Sequence, residues 1–141
     1  MNNNFKIHSS LGYIDVDVEE QNGVKPVAPL TPDLTFSLSP SYKVELASGA
    51  TVSARLDYSL RSDMYGEPTS DPGRLTQIDS RELTNVNLSY SPASDDWTLS
   101  LYGRNIFDER YDNARLNTGD YVLQVLSNDA SEFGMRYSTT F

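Results

Sequence analysis

The chain has no cysteine, which excludes a disulfide framework, a thiol nucleophile and a thiolate-bound metal. Its single histidine, His8, has no cysteine to share a metal with, so a transition-metal centre is not expected. No apolar run approaches the roughly 18 residues of a membrane helix, and no segment shows a helical apolar period. The opening MNNNFKIHSS lacks the basic and apolar regions of a secretory signal. GxSxG, phosphate-loop and dinucleotide fingerprints are also missing, so no catalysis and no cofactor are expected. A net charge of −9 argues against nucleic acid or an anionic surface as a partner. That charge reads as solubility of the loops.

What the chain does have is tyrosine, nine copies in 141 residues, against a hydrophobic content of only 38%. Aromatics at this level argue against disorder, while the apolar content is low for a packed globule. Strands that are apolar on one face and polar on the other reconcile the two. DLTFSLSPSYKVEL places Leu34, Phe36, Leu38, Pro40, Tyr42, Val44 and Leu46 in one phase. TVSARLDYSLR does the same with Val52, Ala54, Leu56, Tyr58 and Leu60, opposite Arg55, Asp57 and Arg61. Both are period-two strands, joined by a tight turn at 47–49 with a glycine for positive φ.

The alternation returns in LTNVNLSY, in WTLSLYGRNIF (Trp97, Leu99, Leu101 and Phe107 sharing a phase) and in the closing EFGMRYSTTF. In the last, Met135, Tyr137, Thr139 and Phe141 fall on one side. Phe5, Ile7 and Leu11 are out of phase with Ile14, Val16 and Val18, which predicts a bulge near Gly12. The count is about six strands. Long polar connections at 19–32, 63–81 and 108–131 alternate with short turns at 47–49 and 91–96, which predicts an antiparallel up-and-down meander with one elaborated rim. The expected class is all-β, a partial outer-membrane-type barrel: such barrels have short turns on one side and longer loops on the other.

From Leu30 to Phe141 the chain resembles the C-terminal end of TonB-dependent outer-membrane receptors. The residues that carry the likeness are LYGRNIFDERYD (101–112) and the terminal GMRYSTTF, supported by SARLDYSLRSDMY and LTNVNLSY. The resemblance implies a barrel of about 22 strands around an N-terminal plug, taking up a siderophore, cobalamin or similar scarce ligand. It implies outer-membrane lipid and the barrel-assembly machinery as partners, with TonB reached only through an N-terminal region absent here. The expectation is therefore that residues 1–141 are a receptor segment with no plug and no signal peptide, not transport-competent alone. By position, the resemblance makes Gly134, Tyr137 and Phe141 the barrel-assembly signal. At 130–132 the sequence reads ASE where the family commonly has a Pro-Arg pair. The alternative architecture is a small soluble β-sandwich or open-barrel binding module.

Arg55, Arg61 and Arg104 fall on polar strand phases, as contacts facing a barrel lumen or as members of a charge ladder between strands. Tyr42, Tyr58, Tyr90, Trp97 and Phe141 lie near strand ends on the apolar phase, where amphipathic rings favour a membrane interface. DVDVEE (15–20) looks like a calcium-ligand run but lacks the glycine an EF-hand loop needs, so a solvated strand end is expected. Asp95 and Asp96 are turn residues.

Overall fold

The computed structural model describes residues 4–20, 23, 25–68, 75–127 and 129–139. Ten strands occur among them: β1 (Phe5–Tyr13), β2 (Leu34–Glu45), β3 (Thr51–Arg61), β4 (Met64–Tyr65), β5 (Gln77–Ile78), β6 (Arg81–Ser91), β7 (Trp97–Arg104), β8 (Asp112–Asn117), β9 (Val122–Leu126) and β10 (Glu132–Thr139). No helix among the described residues is long and apolar enough to cross a membrane, which says nothing of crossing by strands.

Six of the strands form one sheet in the order β1-β2-β3-β6-β7-β10, every neighbour antiparallel. This is the expected all-β meander, open rather than closed. The four remaining strands are two small ribbons, β4-β5 and β8-β9, each inserted in a long connection. Shortness hid β4 and β5, which have two residues each, whereas β8 (DNARLN) and β9 (VLQVL) are long enough but lack strict apolar–polar alternation.

The alternating residues become faces because the pairing register is maintained across the sheet. Leu56 lies opposite Val86, which lies opposite Gly103, and Leu88 opposite Leu101, which meets Met135. At Pro40 the β2–β3 ladder lapses between Leu38↔Tyr58 and Ser41↔Arg55, since proline offers no N–H to the ladder. Its β1 side pairs without interruption, Ile7↔Pro40.

The short turns form as read. Gly49 takes φ +82° and donates to the Leu46 carbonyl at 2.8 Å. In the 91–96 turn Asp95 adopts φ +55°, a left-handed conformation that Asp tolerates, and Asp96 accepts from the Ser94 hydroxyl.

Two details differ from the sequence reading. There is no bulge at Gly12: β1 pairs in regular register through Gly12↔Thr35 and Tyr13↔Leu34, and then ends. The glycine serves close approach instead, because a Cβ there would meet Thr35 Oγ1 at 2.6 Å. The phase change at Ile14 marks chain leaving the sheet. Likewise Phe107 does not share the face of Leu99 and Leu101. β7 stops at Arg104, Asn105 turns the backbone at φ +43°, and Phe107 is exposed.

All three long connections (14–33, 62–80 and 105–131) emerge at the same rim. There they interlock: Leu30 N–H bonds Tyr65 O at 2.7 Å, and Asn117 N–H bonds Glu67 Oε1 at 3.0 Å. Most of the buried side chains among the described residues sit in this rim, Ile78, Thr76, Tyr111, Asp112 and Asn105 among them. No second layer covers either face of the large sheet among the described residues.

Edge strands leave backbone donors and acceptors unpaired, and here the edges are β1 and β10. Amide hydrogen exchange is therefore expected to be slow along β3 and β6 and fast at the outward amides of β1 and β10. Equal protection of edge and central amides would contradict the open sheet.

Candidate functional site: an aromatic-bordered apolar wall and a cationic face

One face of the sheet is apolar over its whole width, and it is open. Phe5, Ile7, Leu11, Tyr42, Leu88, Leu101, Met135 and Tyr137 are all exposed, Met135 at 67% and Leu11 at 70%. Scattered exposed apolar residues are ordinary, but a contiguous wall of them marks an interaction surface. The wall is banded. Near the short-turn rim sit Phe5, Tyr42, Tyr90, Trp97 and Tyr137, with Tyr90–Trp97 centroids 5.5 Å and Trp97–Tyr137 centroids 5.9 Å apart. Near the loop rim sit Tyr13, Phe36 and Tyr58, with Phe36 and Tyr58 6.2 Å apart. Between the belts lie aliphatic residues such as Ile7, Leu38, Ala54, Leu56, Val86 and Leu88. From Val52, which pairs with Tyr90, to Tyr58 is six residues, about 20 Å of strand.

The opposite face is polar and, in an acidic protein, positively charged. The strand registers place Lys6, Lys43, Arg55, Arg61, Arg81, Arg104 and Arg136 on it, against the carboxylates Glu45, Asp57 and Glu132. Seven cations against three carboxylates leave four net positive charges on a chain whose total is −9. The acidic excess is therefore in the connections.

Two of the three arginines singled out from the sequence lie on the body of this face. Arg55 grips Asp57 on its own strand, Nε to Oδ1 at 2.9 Å and Nη2 to Oδ1 at 2.7 Å, and Ser39 donates to the same carboxylate at 2.6 Å. This ties β2 to β3, but the ion pair itself runs along one strand and is not a cross-strand ladder. Arg104 lies over the Tyr102 ring at 5.5 Å and meets its register partner Glu132 at 3.6 Å. Arg61 is apart from both, at the loop rim. It faces Arg81 directly across the β3–β6 ladder and donates to Asp79 O at 3.0 Å. Arg81 in turn covers the Tyr111 ring at 4.6 Å, a cation–π contact that offsets like-charge crowding. The structure thus does not gather the three arginines into one site.

Gly134 and Tyr137 lie on opposite faces of β10, and Phe141 is outside the described residues. Gly134 makes room for Tyr102: a Cβ would stand 2.4 Å from the tyrosine hydroxyl. That hydroxyl donates to Glu132 at 3.0 Å. Tyr137 joins the short-turn aromatic belt through Trp97.

Residues that the alternation pattern does not reveal organise the rim. Asn105 is buried, and its backbone N–H, its side-chain NH2 and its Oδ1 are all hydrogen-bonded. Its backbone N–H bonds Asn85 Oδ1 at 2.9 Å, its amide NH2 bonds the Glu109 and Asp129 carbonyls at 3.0 and 2.6 Å, and its Oδ1 accepts from Glu109 N–H at 2.9 Å. Asn105 thereby joins three segments: its backbone N–H reaches β6, and its side chain ties the start of the 105–131 connection to its return. Tyr111 repeats the link through its hydroxyl to Asp129. The only sequence signal for these roles is their place within GRNIFDERYD.

The 15–20 run lies in the first connection. Asp15 and Asp17 line a cleft of about 580 Å³ with Asp33 and Asp63, and Lys25 bonds Asp17. Among the described residues no group of three or more His, Cys, Asp or Glu side chains converges on a metal-sized centre.

No family model matches the chain, and neither a curated protein nor a solved structure matches it.

Asp108 closes the large connection by accepting from Ser131 N–H at 2.9 Å. That bond, with Arg110 beside it, holds the Asp108 carboxyl below the usual carboxylate range. A carboxylate lowered on folding stabilises the fold above the ordinary value of about 3.9. The contribution is lost as pH falls through the lower folded value. The Ser131 amide resonance should accordingly hold steady at neutral pH and move only below about pH 4. In Asp108→Asn that low-pH movement should vanish. A midpoint at or above the ordinary value would refute the bond's role.

Proposed function

We propose that this chain is the C-terminal wall of a TonB-dependent receptor barrel in a bacterial outer membrane, where the parent takes up a siderophore, cobalamin or similar scarce ligand without catalysis. The observation that carries the reading is the apolar wall: continuous across six strands, exposed, and bordered by aromatic belts on both sides of an aliphatic band. Bilayer-facing barrel walls have that banding because tyrosine and tryptophan rings straddle oil and water.

The order of the connections agrees. Long loops at one rim and short turns at the other are what a barrel presents to the outside and to the periplasm. The polar face then lines the lumen, and Arg55 and Arg104 are lumenal, while Arg61 belongs to the loop rim. In lipid, each unpaired edge group on β1 or β10 would cost several kcal/mol, so these edges require further strands of the parent. The barrel-assembly machinery would read β10, and TonB would act through a region N-terminal to this sheet.

Leu56 lies in the middle of the aliphatic band. Leu56→Arg is expected to weaken bilayer insertion by about 2–4 kcal/mol, measured as a folding equilibrium into liposomes. Ser53→Arg, on the polar face, should change it little. Equal effects of the two substitutions would remove the case for lipid contact. Reconstituted alone, the chain should give no stable monomeric pores in a conductance assay, and steady unitary conductance would show that it closes without further strands.

A further inference from the structure

We propose that the polar face carries a binding site for an elongated, multivalent small anion, seated in a groove between β6, β7 and β10 and anchored by Arg104 and Arg136. The groove encloses about 300 Å³ and is lined by Asp57, Asn85, Asn87, Tyr102 and the two arginines. That volume is at the small-ligand end of the usual range. It is far too small for a folded partner.

The sign of the ligand follows from which charges are already spent. Asp57 is neutralised by Arg55, which holds it through two guanidinium nitrogens, and Ser39 takes up a further lone pair. The groove's remaining charge therefore comes from its arginines. Arg136 forms no ion pair among the described residues. Arg104, which lies over the Tyr102 ring, has as its ion pair a long contact to Glu132, 3.6 Å between half-exposed groups, of the kind that contributes little and exchanges readily. Guanidinium forks match the paired oxygens of phosphate and carboxylate. The face as a whole, these two arginines included, carries four net positive charges and concentrates anions over it.

The shape follows from register. Glu132 pairs with Arg104 and Ser100 with Arg136, so the arginines are four residues apart along neighbouring strands, about 13 Å. They reach into the groove from opposite ends. The separation is one of backbones: one phosphate would have to draw both side chains together, whereas a chain of anionic groups can meet each fork where it stands. Asn87 faces Tyr102 across the β6–β7 ladder and supplies amide donors midway, while the Tyr102 hydroxyl is already given to Glu132.

In the barrel reading this anion arrives through the lumen. Binding itself does not require that reading, so it is measured in neutral detergent without lipid, and failure to bind is separate from failure to insert. The probe is inorganic tripolyphosphate, titrated calorimetrically into the full chain. Saturable binding is expected, weakened about tenfold by either Arg104→Gln or Arg136→Gln, as for loss of one charged hydrogen-bonding group. Arg110→Gln, in the 105–131 connection, should leave it unchanged, and circular dichroism should show the same β spectrum for all three. Glycerol 3-phosphate, standing for a lipid headgroup, should bind more weakly than tripolyphosphate. The proposal is overturned by absence of saturable binding or by equal loss in the Arg110 variant. Glycerol 3-phosphate binding as tightly would overturn it in favour of a headgroup contact.

Discussion

A sheet one layer thick has to find a separate environment for each of its faces, and this sheet is held to that condition by its register. Every pair from Ile7↔Pro40 to Leu101↔Met135 keeps apolar residues on the same side. A slip of one residue in any ladder would carry a whole strand's apolar set to the charged face. The two tight turns set the register at the short end. At Gly12 and Gly134 close cross-strand packing reinforces it, because Thr35 and Tyr102 occupy the space a side chain would need. Both glycines matter for what lies against them.

At the other end the constraint is different in kind. Long connections have a large entropy to lose on ordering, and the excluded side chains concentrate where that cost is met. Asn105 answers with bonds to groups distant in sequence, from its backbone N–H to Asn85 and from its side-chain amide to Asp129, and Ile78 and Tyr111 add buried apolar area. Residue types that look like loop punctuation in GRNIFDERYD thus become the joint between the large sheet and the 105–131 connection. The β8-β9 ribbon beyond it stays exposed along β9, including Leu123 and Leu126, and so presents further apolar surface at this rim.

Charge is divided as sharply as hydropathy. The total of −9 suggests a uniformly acidic molecule, yet the polar face is cationic and the connections carry the acid. A permeating or docking anion would meet repulsion at the loops and attraction on the sheet, while exposed charges at the rim are screened within a Debye length of about 8 Å at physiological salt. Such an arrangement favours ligands that approach as part of a larger or partly neutralised species. The net charge is a sum over two opposed surfaces and describes neither.

The order of the six long strands was legible in the alternation of short turns with long connections. Period-two alternation was sufficient to identify the strands themselves and the shared face of Phe36, Leu38, Tyr42, Leu56 and Tyr58, because side-chain direction in a strand follows from sequence parity alone. The aromatic belts were partly legible for the same reason: Tyr42, Tyr58, Tyr90 and Trp97 stood at strand ends. Their partners Phe5, Phe36 and Tyr137 needed the inter-strand register to bring them alongside. Parity could not locate the end of β1 at Tyr13 or of β7 at Arg104, since a chain leaving a sheet can keep alternating. Nor could it show that Arg61 faces Arg81, that Asn105 joins three segments, or that Arg104 and Arg136 share a groove. Those relations depend on which residues distant in sequence become neighbours, and only the folded sheet decides that.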